Sequence, residues 1–289
     1  MPLKTQPAMI DTHQHLIEPR RFHYPWLDDA PLLNHDFDLA RYKAEADDVG
    51  VVSSIFMEVD VAEKDQLNEA AYFCELAQDP STGILAVIAS GRPEHADFNQ
   101  HLERVKHPKL IGIRRLLQAV DDSTSQSDLF HYNLRRLGEL GLTFDICVRH
   151  DQLRLAIDMA IAAPHTTFIL DHCGNPPLSD PHAMAAWQEY TARLAELPHV
   201  ACKVSGLVNH LQPHDDPVTQ LQPVLDHVAS HFGAERILFG GDWPVSLLAG
   251  VNLTSWAQTA KQLMATQSQS TQHAFFTANA QRIYGLQVS

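Results

Sequence analysis

Eight short runs of strand-forming residues recur along the chain, each followed by a longer segment of helical periodicity. No other feature constrains the fold as strongly. The runs are Ala8–Thr12, Val51–Met57, Ile84–Ala89, Leu110–Arg114, Thr143–Val148, Thr167–Leu170, Val200–Val204 and Ile237–Phe239. Ile84–Ala89 is apolar at every position, as a strand buried on both faces must be. Between the runs, Leu67–Ala77 and Leu153–Ala163 place their apolar residues on one helical face, and Pro181–Leu197, Leu221–Phe232, Ser255–Met264 and Thr271–Tyr284 read the same way. Pro108, Gly141, Pro164, Pro198 and Gly233 punctuate the chain just before strands, where helix-to-strand turns belong. Repeated strand–helix units imply a parallel sheet with right-handed crossovers, and eight of them predict a closed (β/α)8 barrel. The chain's 289 residues suit one such barrel, which needs roughly 250. One domain is therefore expected over residues 1–289. An open doubly wound sheet competes, but no Gly-x-Gly-x-x-Gly follows the first strand to support a dinucleotide-binding version.

Composition narrows the class of function. Hydrophobic residues make up 45 % and charged residues 19 % of the sequence, enough apolar material for a large core. A net charge of −14 opposes binding to nucleic acid or to an anionic membrane, so neither is expected as a partner. A small-molecule substrate is expected instead, and the oligomeric state is left open. No membrane-length apolar run and no signal peptide is apparent, and a cytoplasmic location is expected. The first eight residues read as an extension before the first strand. Cys74, Cys147, Cys173 and Cys202 form no Cys-x-x-Cys pair and read as buried, reduced thiols.

Three segments carry chemistry. In Met9-Ile10-Asp11-Thr12-His13-Gln14-His15, two histidines at i and i+2 leave the first strand on the same side. At the carboxyl mouth of a barrel they converge on the axis, where imidazoles bind a divalent metal or donate to a substrate carbonyl. In Phe168–Pro176 a strand ends in Asp171 and His172 ahead of a Gly-Asn-Pro-Pro turn; His172 reads as a functional residue or a turn cap, and Asp171 as its structural partner. In Ile237–Pro244 an apolar strand delivers Asp242 through Gly240 and Gly241, which leave room for close backbone approach. Together with the histidines, Asp242 has the character of a general base aimed at water.

At this point the sequence resembles the amidohydrolase superfamily, specifically its lactonase-rich branch. The motifs that carry the resemblance run in order along nearly the whole chain: Tyr24-Pro25-Trp26, Gly112-Ile113-Arg114, Leu170-Asp171-His172, Cys202-Lys203-Val204-Ser205-Gly206-Leu207 and Phe239-Gly240-Gly241-Asp242-Trp243-Pro244. The resemblance implies hydrolysis of a lactone, a sugar-acid lactone above all, in carbohydrate catabolism. It also implies a possible single zinc on His13, His15, His172 and Asp242, since some members of the branch use one and others need no metal. Binuclear members place a bridging lysine at the end of strand four or five; here those strands read Arg114-Arg115 and Phe144-Asp145-Ile146-Cys147-Val148, without one. The alternative on the same barrel is a metal-dependent decarboxylase of an unsaturated or aromatic acid.

Lactone hydrolysis needs a base for water, stabilisation of the carbonyl oxygen, and accommodation of the leaving oxygen. Asp242 is assigned the first role and His13, His15 and His172 the second, through zinc or as direct donors. Arg114 is expected to grip a substrate oxygen with a two-pronged contact, while Arg115, of opposite parity, faces the helices. Trp26 and Trp243 are expected as apolar walls, and Glu58 and His150 as substrate contacts. Ser205 and His23 are weaker candidates, and Lys203 reads as a buried structural partner. The polar stretch Asp121–Asp128 reads either as an active-site loop or as a plain surface loop.

Overall fold

A computed structural model describes residues 8–286. Eight parallel strands form one sheet in sequence order: β1 (Met9–Gln14), β2 (Val51–Met57), β3 (Ile84–Ser90), β4 (Leu110–Leu116), β5 (Thr143–Cys147), β6 (Phe168–Leu170), β7 (Val200–Val204) and β8 (Ile237–Phe239). The sheet curls into the barrel that the alternation predicts. The expected extension falls, for residues 1–7, outside the described residues. Among those described, no helix is long and apolar enough to cross a membrane, and all four cysteines are free and buried.

The seam between β8 and β1 is closed by side chains, loop backbone and a single bridge from Gln14 to Trp243. The Asp11 carboxylate accepts from the backbone N–H groups of His13 (2.8 Å) and Gly241 (2.7 Å) and from the Tyr42 hydroxyl (2.7 Å). Thr12 donates to the Phe239 carbonyl at 2.7 Å, and the Asp242 N–H to the His13 carbonyl at 2.8 Å. Gly240 and Gly241 make this approach feasible: a Cβ on Gly240 would lie 2.8 Å from the His13 Cβ, and one on Gly241 would run into the Asp11 carboxylate.

The barrel interior is layered. Ile10, Ile55, Met57, Ile88, Ile169, Ala201 and Leu238 fill its lower part, capped from below by Ala280 and Tyr284 of the C-terminal helical segment. A larger apolar cluster packs the outer strand faces against the helices. Strict alternation from inward-facing Ile10 would turn residues 12 and 14 inward and the histidines outward. A register shift between Asp11 and Gln14, which pair with Ser54 and Phe56, inserts one extra residue into β1. This bulge swings His13 and His15 to the interior, the re-aiming that bulges beside active sites perform. β4 also runs to Leu116, beyond the expected end. The expected helix over 271–284 is instead Gln269–His273, a π turn at Ala274–Ala278, and Asn279–Ile283.

Candidate active site

The carboxyl ends of the strands surround a cavity of about 820 Å3, lined among others by His15, Trp26, Arg114, Cys147, His150, His172, Asn209, His210 and Asp242. His13 lies one layer deeper, fully buried, with its ring centroid 4.9 Å from that of His15 and 4.6 Å from that of His172. Asp242 Oδ1 is 3.7 Å from His13 Nε2 and 3.6 Å from His15 Nε2. Four side chains spread over 230 positions of sequence thus meet in one small volume. His172 and Asp242 both stand in left-handed backbone, with φ of 54° and 53°. Such strain, on the order of 1–3 kcal/mol each, persists where surrounding structure over-determines it. Cys173 and Asn175, on either side of Gly174, share this left-handed backbone with φ of 52° and 55°, while the Gly240–Gly241 pair precedes Asp242.

Each imidazole is oriented by its other nitrogen. His15 Nδ1 lies 3.0 Å from the Met57 carbonyl, which can only accept, so this nitrogen carries the proton. His13 Nδ1 lies 3.4 Å from Asp171 Oδ1, and the Arg114 Nη1 donates to its Nε2 at 3.3 Å. Burial pushes the His13 pKa well down, against the pull of Asp171 and with help from Lys203, so the ring is neutral. His172 Nδ1 is 2.9 Å from the Ser205 hydroxyl, which leaves Nε2 for the cavity. Burial acts to raise the Asp242 carboxyl pKa, but the three imidazoles around it, His172 first, outweigh it and hold the pKa below the ordinary value. Asn209 Nδ2, 3.3 Å from Asp242 Oδ2, steadies the same carboxylate.

These tautomers leave the Nε2 lone pair of His15 facing a carboxylate oxygen across 3.6 Å, and His13 Nε2, which accepts from Arg114 Nη1, lies 3.7 Å from the same oxygen. A cation relieves that arrangement. Ligand atoms of His13, His172 and Asp242 all lie within 4.8 Å of one another, and two imidazoles with a carboxylate are a donor set that zinc favours. The residues present therefore fit one zinc ion, with His15 adjoining through Asp242.

Arg114 occupies a different position from the free clamp expected. Its Nε donates to Glu58 Oε1 and its Nη2 to the Glu58 carbonyl, both at 2.6 Å, leaving Nη1 toward His13 and Asp171. Glu58 is fully buried and holds Arg114 rather than lining the cavity. Burial acts to lower the Arg114 pKa, and the Glu58 charge reverses this and raises it. Trp243 is also buried: its Nε1 donates to Glu45 Oε1 at 3.1 Å and its ring packs on Phe37 and Tyr42, away from the cavity. Trp26 and His150 do line it. His23 is exposed and outside the lining. Arg115 pairs with Glu94 at 2.7 Å, on the helix side. Asp122–Gln126 is a 3-10 turn tied down by Gln152 Nε2 to Asp122 Oδ1 at 2.7 Å, and no residue of 121–128 lines the cavity.

Sequence reasoning passed over Asn209 and His210, which form the turn Leu207–His210 directly after β7. Their signal was present: two polar residues in a strand-to-helix loop, the loops that build barrel active sites. Asn175 was quoted only as part of a turn. Its side chain bridges the Val148 carbonyl (2.7 Å) and His210 Nε2 (3.1 Å) at the cavity wall.

Comparison with known proteins adds to this geometry. The Amidohydrolase family profile matches residues 10–286. An L-fucono-1,5-lactonase of Burkholderia multivorans is 31 % identical over 257 residues, 83 % of each chain. An L-fucono-1,5-lactonase of Burkholderia ambifaria is 34 % identical over 146 residues, a match that spans 50 % of each chain. The crystal structure of an amidohydrolase from Burkholderia multivorans with bound zinc superposes with a TM-score of 0.88 at 26 % identity, over 97 % of this chain and 100 % of that one.

Proposed function

This chain belongs to the amidohydrolase family, and from that premise we propose that it opens a lactone ring by hydrolysis, acting on a neutral, hydroxyl-rich sugar-acid lactone. The observation that carries the reading is the Asp242 carboxylate, faced by three oriented imidazoles at the inner end of a cavity large enough for a monosaccharide. The similarity to two L-fucono-1,5-lactonases supports the same reaction class. The wall chemistry favours hydroxyls over carboxylates. The two arginines on the lining are already committed, Arg114 to Glu58 and Arg149 to Asp151 (3.0 Å) and Asp122 (3.7 Å). Groups that match sugar hydroxyls remain: Gln118, Asn175, Asn209 and the imidazoles of His150 and His210, beside the carboxylates of Asp60 and Asp180, with Trp26 and Leu116 as apolar surface. Burial, abetted by His172, lowers the His210 pKa to about 4, so that ring is neutral at working pH.

In the proposed reaction Asp242 accepts a proton from water as its oxygen bonds to the lactone carbonyl carbon. The carbonyl oxygen gains negative charge at the inner end of the cavity, on the side of the Arg114 guanidinium. The bond to the ring oxygen then breaks as the proton taken up by Asp242 is passed to that oxygen, with His172, hinged on Ser205, placed to relay it. A zinc ion held by His13, His172 and Asp242 would supply Lewis-acid polarisation of the carbonyl.

A pH-indicator screen of aldono-1,5- and 1,4-lactones beside pyrone dicarboxylates and aromatic carboxylic acids tests this. Opening of one or more aldonolactones is expected, with Asp242→Asn lowering kcat by about 10²–10⁴ while the protein stays folded. Decarboxylation alone, or an Asp242→Asn variant as active as its parent, overturns the proposal.

A further inference from the structure

Behind the histidines runs a line of buried charges that the reaction scheme leaves unused. Lys203, in the middle of β7, points into the barrel with the same parity as Ala201 and is fully buried. Its ammonium contacts Asp145 Oδ1 on β5, closer than an ordinary hydrogen bond, and lies 3.2 Å from Asp171 Oδ1. Below, the Tyr284 hydroxyl donates to Asp145 at 3.2 Å. Above, the same Asp171 Oδ1 lies 3.4 Å from His13 Nδ1, and Asp171 Oδ2 lies 3.8 Å from Arg114 Nη1. The contacts connect Tyr284, Asp145, Lys203, Asp171 and His13, from the helix that plugs the barrel floor to the innermost imidazole at its mouth.

A buried lysine is costly to keep. Removing it from water costs several kcal/mol, and a well-packed apolar side chain of similar volume is often at least as stable. Two features show what the charge does here. Asp171 has no conventional hydrogen-bond donor on either oxygen, so its place is set by the cations around it. Of these, Arg114 is itself held by Glu58, and Lys203 is the nearer. Asp171 in turn lies 3.4 Å from His13 Nδ1, which has no hydrogen-bond partner among the described residues, and the tautomer of His13 decides whether Nε2 offers a lone pair toward Asp242 and the cavity. Partners of this kind, one step removed from a working imidazole, typically change metal affinity or activity by 10–100-fold when lost.

We propose that Lys203 is a positioning residue: through Asp171 it fixes the ring of His13 in the Nδ1–H tautomer, with Nε2 directed at the reaction volume. The catalytic consequence rests on the lactonase reading, whereas the orientation of the ring does not.

The test uses the whole protein. Lys203→Met removes the charge at similar length but strands two carboxylates, so it is paired with Lys203→Met/Asp145→Asn, which strands only Asp171. Imidazole 15N spectra, with His13 assigned by the signals lost in His13→Gln, report the tautomer without any substrate. A folded double variant is expected to lose the Nδ1–H pattern at His13, to lower kcat by about 10–100-fold and to leave KM within about threefold. A folded double variant with the parent's His13 signals overturns the proposal, as does one with changed signals but parental kcat. If the parent opens no lactone, the lactonase reading falls, and the spectra still decide the place of Lys203.

Discussion

Gly206 separates backbone strain from displacement of the working groups. It follows Ser205 after β7 with φ 63° and ψ 0°, and a Cβ there would lie 2.5 Å from His172 Nδ1 and 2.9 Å from Asp242 Oδ2. Ordinary heavy-atom contacts sit near ~3.5 Å or beyond. Gly206→Ala must therefore push His172 by about 1 Å and Asp242 by about half that. A misplacement of ~1 Å in an organised site typically costs on the order of 10² in rate. Left-handed backbone adds about 1–2 kcal/mol for any residue with a Cβ. Gly250 provides the control, with φ 72° and ψ 15° but no atom within 4 Å of an added Cβ. Gly250→Ala should carry the strain alone. In thermal unfolding both variants should lose a few degrees, since each kcal/mol is worth roughly 2–4 °C in a protein of this size class. In lactone hydrolysis only Gly206→Ala should lose about 100-fold in kcat. Equal activities in the two variants would refute the reasoning, because steric displacement is the difference between them.

Other outcomes follow from the same contacts. Arg114→Met should destabilise by about 3–5 kcal/mol by leaving Glu58 buried without its partner, and Arg114→Met/Glu58→Gln should recover part of that loss in urea unfolding. Glu69 is buried, and desolvation first and the Glu58 charge second raise its pKa well above the ordinary 4.5. The unfolded state sheds this proton at lower pH than the folded state does, so the group costs stability as pH rises past 4.5. Glu69→Gln should accordingly have a higher Tm than the parent at pH 8, with the gap closing toward pH 4.5; a pH-independent gap would contradict the assignment. Equilibrium dialysis should find about one zinc per chain, weakened at least tenfold by His172→Ala, with zinc content by elemental analysis as the check.

Much of the site was legible because its signals are local. A histidine pair at i and i+2 at the end of a strand, a strand closing on Asp171-His172 and a Gly-Gly-Asp after an apolar run each sit at a strand's carboxyl end, and barrel geometry carries such ends to one mouth. Arg114 lines the cavity, while Glu58 does not, and their pairing was not legible in the sequence. Arg114 and Glu58 were each read as free to meet substrate, yet they spend their hydrogen bonds on each other across 56 positions of sequence, and pairing at that range leaves no local trace. Trp243 was read with its neighbour Asp242, but adjacent residues at a strand end diverge, and its indole turned toward Glu45. Lys203 reads as a buried partner in the sequence; its link to His13 runs through Asp171, at the end of another strand.

By itself the sequence determined the periodicities, the strand count and the chemical groups delivered to each strand end, because these depend on residues a few positions apart. Only the tertiary structure decided which way those groups face. The bulge in β1 turns two histidines inward, and burial sets the protonation of His13. The pairing of Arg114 with Glu58, from another strand's end, ties down the one arginine at the inner end of the cavity wall. Each of these is a matter of desolvation and distance between segments remote in the chain, which the order of residues does not express.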